Sequence, residues 1–305
     1  MTSKNTLITI VGPTAIGKTS LSIHLAKYFN TTILSCDSRQ FYKEMTIGTA
    51  VPEHDELAAA THYFIQNRSI FDDYNVGDFE KHALQQLKVL FQENPVQIMV
   101  GGSGLYVDAV LNGLDSFPKI AVSVRSQLQE ELKNDGLVAL QQKLKALDIE
   151  SYNTIAIDNP QRIIRALEVT IGSGTPYSTF KNKEKTPRKF KSIIIGLNAE
   201  RSVIYNRINQ RVDLMIKNGL IEEVKKLYPN KQLNALQTVG YRELFNYFDG
   251  VFTKDFAIEE IKKNTRRFAK RQLTWFKKNE NIIWFDYETK PKKIIDTIEK
   301  IKSNK

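Results

Sequence analysis

The sequence predicts an α/β fold: a phosphate-loop (P-loop) core with a parallel sheet and an inserted, mostly helical domain. Three observations predict it. Short β-branched apolar runs end at glycine or aspartate and alternate with helix-like segments, as strands buried on both faces do. Residues 12–19, GPTAIGKT, fit G-x-x-x-x-G-K-[ST] directly after the first such run. From Pro118 to about residue 190 the character turns helical before a strand pattern resumes. Residues 1–117 and 191–305 are therefore assigned to one discontinuous core and 118–190 to the insertion.

Taken in order, Thr6–Val11 (TLITIV) is a buried parallel strand ending at Gly12, and a helix follows over Lys18–Phe29. Thr32–Ser35 is a second strand, ending at Asp37, and Val96–Val100 a third, ending at Gly101 and Gly102. Ligands of such sheets collect beyond the carboxyl ends of the strands, so three loops converge on one edge. In the insertion, helices are expected over Ser123–Asn134, closed by Gly136, and over Val138–Leu147. The best-punctuated helix is Pro160–Ile171, with Asp158 and Asn159 before it and Gly172 after it. Lys181–Lys191 reads as a basic linker. Ser192–Leu197 then resumes the strand pattern, helices follow at about 200–218, 220–227, 241–248, 256–278 and 291–302, and Ile282–Phe285 is a late strand.

Composition narrows the function. The chain has 305 residues, 41% hydrophobic and 26% charged, enough for a packed core. No run approaches the roughly 18 apolar residues of a membrane span, and the first residues show no signal-peptide pattern, so a cytoplasmic location is expected. Cys36 is the single cysteine, which excludes an internal disulfide and a thiolate zinc cluster, and the four histidines have no metal-ligand spacing. The net charge of +10 is unevenly placed: residues 181–305 carry 29 Lys+Arg against 15 Asp+Glu, while 1–117 carry 8 against 12. That asymmetry points to a polyanionic partner, nucleic acid first and anionic membrane second.

In the phosphate loop, Gly12, Thr14, Ala15, Ile16, Gly17, Lys18 and Thr19 are candidates to hold a diphosphate. The glycines let backbone N–H groups curl around an anion, Lys18 adds a point charge, and the Thr19 hydroxyl can ligate magnesium. The loop does not say whether phosphorus or carbon is attacked. Asp37 fits a metal-holding acid, a general base or a helix cap. The third strand ends in Gly101-Gly102-Ser103-Gly104 rather than in an acid, which removes the usual second metal carboxylate. Over 263–278, helical spacing places Phe268, Ala269, Leu273 and Phe276 on a packing face, with Lys263, Arg267, Lys270, Arg271 and Lys278 opposite as a phosphate-spaced stripe. Trp275, near the boundary, suits either stacking on a base or half-burial. Arg162 with Arg165, and Arg207 with Arg211, each share a helix face, where ion pairs with acids such as Asp213 are the alternative to phosphate contacts.

These residues resemble the tRNA dimethylallyltransferases of bacterial type, isopentenyltransferases that modify the adenosine immediately 3′ of the anticodon. The resemblance rests on GPTAIGKT at 12–19, DSRQFY at 37–42, IGTA at 47–50, GGSGLY at 101–106 and DNPQRIIRALEV at 158–169. It continues with NQRVDLM at 209–215, TVGYRE at 238–243 and TRRFAKRQLTWFKK at 265–278, covering nearly the whole chain in order. It implies transfer of a dimethylallyl group from dimethylallyl diphosphate to the adenine amino nitrogen in the tRNA anticodon stem-loop, with Mg2+ as cofactor. It further implies that Asp37 is the base, Ser103 a substrate-contacting hydroxyl and Arg211 a diphosphate contact. Contacts to tRNA are implied from Ser38, Arg39 and Gln40, from Arg125, from Gln161, Arg162 and Arg165, from Gln237, Gly240, Tyr241 and Arg242, and over Lys270 to Lys277, including Arg271 and Trp275. The family usually has Thr where this chain has Ser103, which keeps the hydroxyl and loses its χ1 restriction. A monomer is expected. The alternatives are prenyl transfer to a free adenine nucleotide, or a P-loop kinase or NTPase acting on or with RNA.

Overall fold

The computed structural model describes residues 5–181 and 187–303. Strands β1 (Thr6–Val11), β2 (Ile33–Ser35), β3 (His62–Tyr63), β4 (Val96–Val100), β5 (Lys191–Asn198) and β6 (Ile282–Asp286) form one sheet in the order β3-β2-β4-β1-β5-β6. Every pairing is parallel. All six residues of β1 are buried, because the sheet is covered on both faces. Period-2 alternation sends Ile8 and Ile10 to one face, with Leu25, Ile195 and Ile298, and Leu7 and Val11 to the other, with Phe41, Phe79 and Val107. β2, β4 and β1 are neighbours, so the loops that follow them emerge side by side.

The chain divides into two compact units, Met1–Asn112 with Arg188–Lys305, and Gly113–Pro187. These boundaries lie a few residues from the 118–190 read from the sequence. In the larger unit the helices are α1 (Lys18–Phe29), α2 (His54–Ala59), α3 (Val76–Glu93), α4 (Gly104–Asn112), α8 (Arg201–Lys217), α9 (Leu220–Leu227), α10 (Tyr241–Phe248), α11 (Lys254–Phe276) and α12 (Pro291–Ser303). A separate apolar cluster, with Met45, Val212, Leu220, Tyr241, Phe245 and Ile261, holds α8 to α11 together beside the sheet. The smaller unit comprises α5 (Val122–Leu147), α6 (Ile149–Thr154) and α7 (Pro160–Ser173), packed through Leu128, Leu140, Leu144, Ile163, Ile164 and Leu167.

At Gly136 the sequence reading and the fold agree: α5 is two helices joined across a kink where Gly136 takes φ 79° and ψ 178°, the break the sequence places there. They differ at other definite points. Helix α7 runs past Gly172, which packs against Ile120, and is closed by Gly174 in the left-handed region, with Asn159 accepting from the Gln161 and Arg162 amides at its start. The α2, α3, α4, α6 and β3 elements lie outside the expected set. Much of the expected basic linker, residues 182–186, falls outside the described residues.

Candidate active site

A cavity of about 480 Å³ opens at the carboxyl edge of β1, β2 and β4, lined among others by Thr14, Asp37, Ser103, Arg211, Arg271 and Trp275. Thr14 brings the phosphate loop to its wall. Gly12 takes φ 144° in that loop and passes β5 so closely that a Cβ would lie 2.5 Å from the Leu197 carbonyl oxygen, a position open only to glycine. This close approach to β5 by itself accounts for glycine at position 12. Ala15 and Ile16 turn their side chains into the core, so they can offer an anion only their backbone amides. Ala15 holds φ 64°, unusual for a residue with a Cβ, and its carbonyl accepts from Arg207 Nε at 2.7 Å. Gly17 caps α1, and Lys18 follows, its Nζ arched over the loop onto the Pro13 carbonyl at 2.7 Å. Burial lowers Lys18 to about 8, against the opposing charge of Asp37.

Asp37 leaves the end of β2, where its Oδ1 accepts from the Arg39 amide at 3.1 Å. Burial raises its pKa above the usual carboxylate range, offset in part by that bond and by the charges of Lys18, Arg39 and Arg211. Arg211, on α8, is depressed by burial and by neighbouring Arg207. One desolvated carboxylate thus sits in the field of several cations, with burial the larger influence and its pKa raised. Beside it, Ser103 Oγ accepts from the Ser38 amide at 3.1 Å and lies 3.2 Å from Ser38 Oγ, which fixes the hydroxyl despite the lost branching methyl. Cys36 is fully buried and its thiol is pushed up by desolvation, so it behaves as a small hydrophobe.

Several residues expected at the RNA surface also make bonds that hold the framework. Tyr241 is fully buried beneath Gly48 and donates to Glu223 Oε1 at 2.7 Å, so it presents nothing to RNA. Gln40 donates to the Thr49 and Ala50 carbonyls at 3.2 and 2.8 Å and accepts from Ser35 Oγ, bracing the 46–50 loop. Gly240 is buried at the head of α10, with its amide on Glu243. Arg39 is anchored on the Asn234 and Ala235 carbonyls at 3.2 and 2.9 Å. Ser38, Arg39, Gln237, Gly240, Arg242, Arg271 and Trp275 line the cavity, and Lys270 on α11 and Lys277 just beyond it are exposed. Trp275 donates from Nε1 to Asp108 at 2.9 Å, its indole lying against Gly104.

The face assignment on α11 changes in two places. Phe268, expected to pack, is 38% exposed and lines the cavity under Arg271, whose guanidinium carbon lies 5.8 Å from its ring centroid. Lys263, expected in the stripe, pairs with Glu260 at 2.6 Å. Asp213 pairs with Lys262 at 2.8 Å rather than with an arginine. In the smaller unit, Arg125 binds Glu168 at 2.9 Å and Gln161 at 3.0 Å, Arg165 also reaches Glu168 at 3.3 Å, and Arg162 is exposed.

Two important residues escaped the sequence reading. Glu223, on α9, accepts from the Thr46, Ile47 and Gly48 amides at 3.0, 2.7 and 3.0 Å, holding the IGTA segment that forms one wall. Gln272, inside the block expected to touch RNA, is buried and accepts from the Thr14 amide at 2.8 Å. That amide is thereby engaged within the protein. The spacing 269, 272, 276 was the available signal, since it puts Gln272 on the same face as buried Ala269 and Phe276.

A phosphate-loop motif with a buried lysine thus lies beside a desolvated carboxylate, under a rim of aromatic and cationic side chains. Residues 40–279 match the family model described as IPP transferase. The chain is 63% identical over 300 residues to a tRNA dimethylallyltransferase of Flavobacterium psychrophilum, covering 96% of this chain and 98% of that one. It is similar to the solved tRNA isopentenylpyrophosphate transferase of Bacillus halodurans, with 37% identity, a TM-score of 0.71 and coverage of 97% and 95%. A eukaryotic dimethylallyltransferase acting on tRNA shares the fold at a TM-score of 0.83 and 23% identity, over 99% and 80% of the chains. The chain belongs to the IPP transferase family.

Proposed function

We propose that this chain transfers a dimethylallyl group from dimethylallyl diphosphate to the exocyclic amino nitrogen of the adenosine immediately 3′ of the anticodon in tRNA, releasing diphosphate. The observation that carries the reading is that one cavity is lined both by the phosphate-loop edge with desolvated Asp37 and by exposed Phe268, Arg271 and Trp275. The adenine amino lone pair is delocalised into the ring, so a base must take its proton as the new carbon–nitrogen bond forms. Asp37, raised above the ordinary carboxylate range, has the basicity for this. The allylic carbon–oxygen bond breaks in the same step, and the electron pair leaves with the diphosphate, which the loop amides, Lys18 and Arg211 stabilise. The adenine must leave its stack to reach Asp37, and the aromatic and cationic rim suits an extruded base.

Magnesium fits this site in one way. Among the described residues no group of three or more His, Cys, Asp or Glu side chains is gathered to hold a metal. Thr19 contributes a hydroxyl, so most of the ion's oxygens would come from the diphosphate and water, as magnesium prefers. When bound it would neutralise charge on the leaving group. A tRNA substrate argues for a cytoplasmic enzyme, and no helix among the described residues is long and apolar enough to cross a membrane.

The test is to incubate the protein with dimethylallyl diphosphate, magnesium and, separately, unmodified tRNA, AMP and ATP. Prenylated adenosine in the tRNA, with one diphosphate released per transfer, is the expected result. Prenylation of AMP or ATP in preference to tRNA, or sustained phosphate release from ATP, would overturn it.

A further inference from the structure

We infer that Gln272 is a positioning residue for the transfer: it sets the Thr14 corner of the phosphate loop, so that the donor's diphosphate is seated by a side chain of the basic helix α11. This rests on the reading that the phosphate loop takes the donor. Gln272 is 5% exposed, and its carboxamide is used on both sides. The oxygen accepts from the Thr14 amide at 2.8 Å and the nitrogen donates to the Gly102 carbonyl at 3.0 Å. Gln272 therefore joins the loop after β1 to the loop after β4, at sequence separations of 258 and 170 residues.

Two features show that the fit is close. A Cβ on Gly102 would fall 2.1 Å from Gln272 Nε2, so glycine at that position makes room for the carboxamide. Thr14 is followed by Ala15 at φ 64°, a conformation that persists only where neighbouring contacts hold it. The bond from Gln272 fixes the Pro13–Thr14 peptide, one residue ahead of that strained position. Loss of the bond frees the loop to relax, and the amides of Ala15 to Thr19 then lose their common focus on the anion. The same helix carries exposed Lys270 and Arg271 on the adjacent positions, so the surface offered to RNA and the brace of the donor loop are one rigid element.

The experiment uses the full chain and measures KM for dimethylallyl diphosphate and for tRNA separately, with calorimetric binding of inorganic diphosphate in magnesium. Gln272→Met keeps the length and removes both hydrogen bonds. It is expected to raise the donor KM and weaken diphosphate binding about tenfold, with the tRNA KM within about twofold of the parent. Gly102→Ala in the parent should produce the same donor defect by displacing the carboxamide, and should add nothing when placed on Gln272→Ala, where the clash is gone. An unchanged donor KM in both Gln272→Met and Gly102→Ala overturns the inference. So does a defect confined to the tRNA KM, which would make Gln272 an RNA contact. Lys18→Ala separates the two levels of argument. If it binds diphosphate as the parent does, the donor-site reading fails. If it binds weakly while Gln272→Met binds normally, only the role of Gln272 fails.

Discussion

Helices α7 and α11 are both arginine-bearing, and both carry residues expected to meet RNA, yet the structure uses their charges differently. On α7, Glu168 is nearly buried on the same helix and gathers Arg125 and Arg165 at 2.9 and 3.3 Å, so two cations become framework. On α11 the acids are confined to the first part, where Glu259 and Glu260 pair with Lys262 and Lys263. From residue 264 to 278 there is no acid in the sequence, and Arg267, Lys270, Arg271, Lys277 and Lys278 are exposed. The helices differ in number of cations, two on α7 against seven on α11, and also in where the acids stand relative to them.

The largest effect expected lies where neither helix supplies the chemistry. Asp37→Asn keeps size and hydrogen-bonding reach and removes basicity, so single-turnover prenyl transfer should fall about 10²- to 10⁴-fold. Affinity for tRNA should change only a few-fold, because recognition is spread over α11 and the cavity rim. Rapid-quench transfer and filter binding read the two separately. A parent-like rate would remove Asp37 from proton transfer.

Next in size is the contrast between the helices themselves. Reversing Lys270 and Arg271 to Glu should weaken tRNA binding and reduce its dependence on log salt by somewhat under one unit for each phosphate no longer neutralised. Arg125→Gln should leave the salt slope unchanged and instead loosen the small unit by about 1 kcal/mol, since Glu168 keeps Arg165 but loses a partner. If Arg125→Gln flattened the slope as the α11 variant does, Glu168 would not be holding that arginine away from RNA.

The pH profile sharpens the same comparison, because Lys18 is the cation whose burial changes its ionisation within reach of experiment. Its pKa is lowered to about 8, and the protonated form is the one that binds diphosphate. The donor kcat/KM of the free enzyme should therefore fall as pH rises through about 8. Asp37 works in the opposite limb: its pKa is raised, and the ionised form is the base, so the rate should rise with pH from above the usual carboxylate range. In Arg271→Gln the alkaline limb should stay where it is, since Arg271 is not among the charges acting on Lys18.

Much of this was legible beforehand, for physical reasons that also explain the failures. β1, α1 and β4 were bounded correctly because strands buried on both faces leave uninterrupted apolar runs, and Gly17 and Asn30 frame the first helix. Asp37 was findable because a polar residue directly after a buried strand must emerge at the sheet edge. Its raised pKa was not, since burial is a product of the tertiary fold and outweighs the lowering charges of Lys18 and Arg211, which come from distant parts of the sequence. Gly172 misled because a glycine late in a helical pattern can equally mark a close contact, here with Ile120, and Gly174 supplied the left-handed turn instead. Gln272 lay in a block rich in cations and Tyr241 in one expected to touch RNA, and only the tertiary fold shows that they turn inward, toward Thr14 and Glu223.

Tyr241→Phe carries the smallest expected effect and tests that inward turn directly. The variant keeps the ring packed under Gly48 and removes one hydrogen bond to Glu223, whose carboxylate still accepts three amides of the 46–48 segment. A bond to a charged acceptor, lost while the acceptor stays well satisfied, should cost about 1 to 2 kcal/mol in a denaturant melt. Affinity for tRNA should remain within about twofold of the parent and its salt slope unchanged, because the hydroxyl has no access to solvent. A loss of RNA affinity as large as that of the Lys270 and Arg271 reversals, with stability unchanged, would mean that Tyr241 leaves the core when RNA binds, and that the framework role assigned to it holds only for the free protein.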